Sequence, residues 1–203
     1  MSAFDARWMP LSQLRYACAS RSLYDWLADN SSLTQRLIEH CSGTFEVRVR
    51  GQRWKAPLLS ESKLLGIRAG EYAMVREVEL LCNGIPHVYA RTLIPKSSLT
   101  GRASHLQGLG SKPLGALLFS DPTTRRSAIE YARLVASHRL YQWAMSSMRE
   151  IESELWGRRT LFCYAGKPLL VNEIFLPVIC EHKQSIGCAE ERSASFAIDA
   201  GSH

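Results

Sequence analysis

YAMVREVELLCNGIPHVYARTLIP, residues 72–95, decides the fold. Segments 72–82 and 87–95 are rich in β-branched and aromatic residues, and Asn83-Gly84 between them is the strongest short-range signal for a hairpin turn. Ile85 and Pro86 are expected to make the connection slightly longer than the minimal turn. Side chains alternate across a strand, so Tyr72, Met74, Arg76, Val78 and Leu80 share one face while Glu77 and Glu79 share the other. Arg76 therefore sits on an apolar face. A charge there is costly unless something pairs with it.

A second hairpin follows near the end of the chain. Segments 160–164 and 169–176 are joined across Ala165-Gly166-Lys167-Pro168. Leu169, Val171, Glu173 and Phe175 share a face, so Glu173 is a second charge among apolar neighbours. The plain alternative is that Arg76 and Glu173 pair with each other or with backbone groups. The functional alternative is a pocket in the sheet face. There Arg76 would clamp a ligand carboxylate with its bidentate fork, and Glu173 would accept a hydrogen bond from a ligand hydroxyl or move a proton. Arg91, on the partner strand of the first hairpin, is a weaker candidate. Arg48, Arg50, Arg158 and Arg159 read as solvated or bonded to chain ends.

Upstream, 44–50 alternates Phe45, Val47 and Val49 with Glu46, Arg48 and Arg50, a half-exposed strand, and Gly51 reads as the turn that ends it. Segment 20–41 reads as two short helices, carrying Leu23, Trp26 and Leu27, then Leu33, Leu37 and Ile38, with Asn30, Ser31 and Ser32 as break and N-cap. A helical turn is expected within 58–66. Segments 101–110 and 113–119 read as short helices or turns. Asp121-Pro122 reads as a helix start, and Ile129, Ala132, Val135, Leu140, Trp143 and Met148 predict two helices reaching to about residue 155. Helices, antiparallel strands, helices and strands in that order predict an α+β fold, an antiparallel β-sheet with helices on one face. We expect one domain over 1–177 and a polar C-terminal tail over 178–203.

The 203 residues, 46% hydrophobic and 22% charged, exclude a disordered or fibrous chain. No stretch is long and apolar enough for a membrane span. The first ten residues contain Asp5 and Arg7 and no apolar run, so no secretory signal is expected. The six cysteines, at 18, 41, 82, 163, 180 and 188, include no C-x-x-C pair, which argues against a zinc knuckle and fits a reducing cytoplasm. The net charge of +6 suits a small anionic substrate as well as nucleic acid. The basic residues form no block and no aromatic platform, so no nucleic-acid partner is expected. Nucleotide-binding glycine motifs, a nucleophile elbow and a zinc H-E-x-x-H are absent.

Four blocks in order, VREVELLCNGIPHVYARTLIPKSSLTG, LGSKPLGALLFS, WGRR and GKPLLVNEIFLP, resemble the chorismate–pyruvate lyase family over about residues 20–177. The resemblance implies an enzyme that converts chorismate to 4-hydroxybenzoate and pyruvate, at the entry to ubiquinone synthesis, with no cofactor and no metal. It implies a fold in which helical flaps cover a buried ligand pocket. It places the family's ligand arginine on Arg76 and its glutamate on Glu173, and two backbone ligand contacts on Leu33 and Leu114. A methionine is common in the family where Leu33 stands. Segment 119–156 reads as longer than usual in the family, and the tail has no counterpart. A cytoplasmic monomer is expected. The alternative is a non-catalytic sensor of small aromatic acids on the same fold, as in effector domains of some transcription regulators. The first strand begins near Thr44, which leaves too little chain for a winged helix besides the flaps.

Overall fold

In the computed structural model, residues 4–18, 20–148 and 152–179 are described. The elements run α1 (Leu11–Ala17), α2 (Arg21–Ala28), α3 (Leu33–His40), β1 (Phe45–Lys55), α4 (Leu59–Leu65), β2 (Ala73–Cys82), β3 (Ile85–Pro95), α5 (Leu114–Ser120), β4 (Arg125–Val135), α6 (Arg139–Met145), β5 (Glu154–Tyr164) and β6 (Lys167–Phe175). Two 3-10 segments, Lys96–Ser98 and Gly101–Gly108, lie between β3 and α5. The six strands form one antiparallel sheet in the order β1-β2-β3-β6-β5-β4. The fold class is α+β.

The β2–β3 hairpin forms where the sequence places it. Asn83 and Gly84 take positive φ (51° and 78°), the pair that a tight turn matching the strand twist requires. The turn is minimal, since Cys82 pairs with Ile85. The extra residue, His87, is absorbed by a register shift further along, where Leu81 faces Pro86 and Leu80 faces Val88. β2 begins at Ala73, so Tyr72 falls outside it and is exposed. Gly51 does not end β1. It marks a bulge, with Val49 opposite Val78 and Gly51 opposite Glu77, and the strand runs on to Lys55.

The larger departure lies in 121–155. In place of two consecutive helices the chain builds edge strand β4 and only then the short α6. Asp121 does not cap a helix; its carboxylate accepts from the Thr123 amide (2.9 Å) and hydroxyl (2.6 Å), closing a local turn. Both faces of β4 are partly covered. Ile129 and Tyr131 pack with one apolar cluster, and Ala132 and Leu134 with another on the opposite side. Apolar residues on both faces of a strand imitate helical spacing, so periodicity alone misassigns it.

The front face of the sheet carries α2, α3, α5 and the second 3-10 segment, through clusters that include Leu27, Leu37, Val78 and Phe175, and Met74, Leu106, Leu118 and Val171. The back face is covered in part by α4 and α6. There Ala73, Val75 and Leu93 pack with Leu65, and Tyr89 and Ile174 pack with Leu140 and Tyr141. Cys41, at the end of α3, is joined by a disulfide to Cys82 at the end of β2, their Cα atoms 5.6 Å apart. The cysteine spacing gave no sign of this bond, and it departs from the reading of the six cysteines as reduced thiols. No described helix is long and apolar enough to cross a membrane. Of the tail expected over 178–203, residues from 180 onward lie outside the described residues.

Candidate functional site

Between the front face of the sheet and the helices lies one cavity. It encloses about 610 Å³ of space between atoms, with the open mouth counted in. Its floor is apolar, with Val78, Ala90, Phe162 and Val171 drawn from four neighbouring strands. Its cover is α3, through Leu33 and Thr34, and α5, through Leu114 and Leu118. The Ser32 hydroxyl caps α3 by accepting from the Gln35 amide. The two cover helices touch at Gly115. A Cβ there would come within 2.8 Å of Thr34 Oγ1, so only glycine permits this approach without a shift.

Into this apolar chamber project Arg76, Arg126 and Glu173. Arg76, on β2, is 3% exposed. Its Nη2 donates to the carbonyl oxygens of Gly110 (2.9 Å) and Lys112 (3.1 Å), which pins the turn leading into α5. Its Nε is buried and makes no hydrogen bond. Burial pulls this guanidinium below its ordinary pKa, and no described carboxylate lies within ion-pair distance of it. The two charges thus share a cavity without pairing with each other.

Glu173, on β6, is held by Arg158 of β5, directly opposite it in register, with Nε donating to Oε2 at 2.7 Å. Arg158 also donates to the carbonyl oxygens of Leu27 (3.3 Å) and Asp29, at the end of α2. Burial alone would lower the Arg158 pKa. The neighbouring Glu173 outweighs it and holds the pKa above the ordinary value. Arg126, on β4, donates to the Asn30 and Ser31 carbonyl oxygens between α2 and α3, and its guanidinium lies 4.7 Å from the Phe119 ring centre. Burial, then repulsion from Arg158, pulls it below its ordinary pKa. Arg158 pairs with Glu173, which leaves Arg76 and Arg126 as cations of the wall with no carboxylate partner among the described residues. An apolar box with two such cations suits a compact, doubly anionic ligand.

Leu33, Arg76, Leu114 and Glu173, singled out in the sequence, all line this one cavity. Arg91 does not. It points to the back face, where it is fully buried, bonded to Glu61 (3.1 Å) and Glu77 (3.1 Å), and stacked at 4.4 Å on Trp143. Alternation already excludes it from the front, since it pairs in register with Glu77. Arg158 and Arg159 are not solvated. Both are buried, Arg158 against Glu173 and Arg159 against Glu130 on the back. Arg48 and Arg50, on the edge strand, are partly exposed and pair with Glu79. Arg158 was readable, because Trp156, Arg158, Thr160 and Phe162 alternate as the segment around Arg76 does. Arg126 was hidden by the helical spacing around it. Among the described residues no group of three or more His, Cys, Asp or Glu is placed to hold a metal ion.

The chorismate lyase family model matches residues 3–185. A probable chorismate pyruvate-lyase of Aromatoleum aromaticum is 44% identical over 161 residues, covering 78% of this chain and 86% of that protein. A probable chorismate pyruvate-lyase of Azoarcus sp. is 43% identical over 165 residues, covering 79% and 87%. Among solved structures, the PhnF C-terminal domain superposes with a TM-score of 0.50 at 16% identity, over 64% of this chain and 80% of that domain, a likeness of fold alone.

Proposed function

The chain belongs to the chorismate lyase family, and we propose that it eliminates pyruvate from chorismate to release 4-hydroxybenzoate, the entry reaction to ubiquinone. One observation carries this reading. The covered apolar cavity holds an arginine with no carboxylate partner among the described residues and a glutamate bonded to a buried arginine.

Chorismate carries a carboxylate on its ring, a hydroxyl on the ring carbon opposite, and an enolpyruvyl ether beside that hydroxyl. The ether carbon–oxygen bond breaks, the hydrogen on the hydroxyl-bearing carbon leaves, and the ring becomes aromatic. The departing enolpyruvate gains a proton at its methylene carbon and becomes pyruvate. Aromatisation supplies the driving force, so the protein's task is to hold the substrate in a reactive conformation and exclude water. Arg76 takes the ring carboxylate, and its spare N–H groups supply the charge-assisted hydrogen bonds. The Leu114 amide, in the first turn of α5 where N–H groups have no intrahelical acceptor, assists it. Glu173 accepts from the ring hydroxyl and orients it for proton movement. Leu33 and α3 close over the ring. In this reading residues 1–177 are the catalytic domain and work as a monomer in the cytoplasm, without cofactor.

The test is to mix the purified chain with chorismate, adding neither metal nor cofactor, and to quantify products by absorbance and chromatography. We expect equimolar 4-hydroxybenzoate and pyruvate. A thermal shift with 4-hydroxybenzoate but no turnover would overturn the reading in favour of a sensor of small aromatic acids.

A further inference from the structure

The family reading uses Arg76 and Glu173 and leaves Arg126 idle. Yet Arg126 lines the same cavity and lacks a carboxylate partner among the described residues. Two of its N–H groups are spent on the carbonyl oxygens of Asn30 and Ser31, and its buried Nε makes no hydrogen bond. A half-buried guanidinium between Phe119 and Phe162 is costly to desolvate for two backbone contacts alone. Its place in the sheet is informative. Arg76 stands on β2 and Arg126 on β4, so they reach the cavity from opposite sides, and Glu173 on β6 lies between them. The proposed substrate has a compatible layout, with a carboxylate at one end of the ring and, at the other, a hydroxyl flanked by the side chain that bears the second carboxylate.

We propose that Arg126 binds the second carboxylate of the substrate, the one on the enolpyruvyl side chain that departs as pyruvate. This rests on the chorismate reading and deepens it. Arg76 and Glu173 hold the groups that remain in 4-hydroxybenzoate, whereas Arg126 holds the group that leaves. Once the ether is cut, Arg126 contributes to the affinity of pyruvate and not to that of the aromatic product. The same guanidinium grips the loop between α2 and α3, so it joins the leaving half of the substrate to the cover of the site.

The test compares wild type, Arg126→Gln and Arg126→Lys. The glutamine amide retains N–H donors for the loop carbonyls but removes the charge. With Arg126→Gln we expect KM for chorismate to rise by roughly tenfold or more, the loss of a charged hydrogen-bond partner. The affinity for 4-hydroxybenzoate should stay within about threefold, since that molecule lacks the second carboxylate. Arg126→Lys should recover part of the lost KM. Equal weakening of both ligands would reduce Arg126 to a prop of the cover and overturn the inference, and so would an unchanged KM. Should wild type not turn chorismate over, the function reading fails by itself. Calorimetry with chorismate and 4-hydroxybenzoate on the same three proteins then still decides, because selective loss of chorismate affinity supports Arg126 and equal loss refutes it.

Discussion

Arg76 and Glu173 divide the work at the level of single side chains. Arg76→Ala leaves a buried ligand carboxylate without its partner, so affinity for 4-hydroxybenzoate should fall by about 2–5 kcal/mol, read by calorimetry. Unchanged affinity would remove Arg76 from the carboxylate end. Glu173→Gln keeps an oxygen that accepts from Arg158 Nε but leaves the buried Arg158 charge without its carboxylate, so the protein should stay folded and melt below the wild-type temperature. Its kcat should drop by roughly a hundredfold, the scale of a lost proton-transfer group. Both residues were legible because each breaks the apolar rhythm of a strand, Arg76 between Met74 and Val78 and Glu173 between Val171 and Phe175. Arg158 breaks the rhythm of β5 in the same way, between Trp156 and Thr160. Arg126 sits beside a bulge, where Arg126 faces Phe162 and Ala128 faces Leu161, and a register shift erases the alternation that would expose it.

At the scale of elements, the cover depends on how closely α3 and α5 approach. Gly115→Ala places a methyl 2.8 Å from Thr34 Oγ1, so either the Thr34 hydroxyl rotates or the two helices part. We expect a loss of about 1–3 kcal/mol in stability and faster dissociation of 4-hydroxybenzoate in stopped-flow experiments. Thr34→Ala in the same chain should restore slow release, because it removes the obstructing atom; persistent fast release would place the gate elsewhere. The first hairpin was readable because its turn requires residues that accept positive φ, Asn83-Gly84; the second turn is tighter than expected, with Lys167 and Pro168 already in β6 and Ala165 at a positive φ (49°) that side chains seldom take. Helices α2 and α3 were readable from the spacing of Leu23, Trp26 and Leu27 and of Leu33, Leu37 and Ile38, with Ser32 capping the second. The strand β4 was not, because its apolar residues serve two faces at once. The contact of α3 with α5 joins residues distant in sequence, and no local pattern announces it.

The whole molecule uses its sheet in two ways. The front face surrounds a cavity, while the back face buries charge. There Arg91 joins Glu61 and Glu77, and Asn172 and Tyr89 complete the set, donating to Glu61 (2.9 Å) and Glu77 (2.9 Å). Burial alone would raise the Glu77 pKa. Hydrogen bonds from Lys55 and Tyr89 and the charge of Arg91 outweigh it and hold the carboxyl below its ordinary value. A group depressed in the folded state adds stability above its unfolded pKa, near 4.3, and loses it as pH falls through the folded value. Melting temperature should therefore fall more steeply below about pH 4.5 in wild type than in Glu77→Gln. Parallel curves would contradict this role. The net charge of +6 fits the same picture, because part of the excess is Arg76 and Arg126 facing the cavity.

The most direct measurement is a crystal structure of the chain grown with 4-hydroxybenzoate. We expect the product within the cavity, its carboxylate on Arg76 and the Leu114 amide, its hydroxyl on Glu173, and Arg126 free of contact with it. A product bound elsewhere, or turned so that its carboxylate meets Arg126, would contradict the assignment of this cavity and of the charges within it.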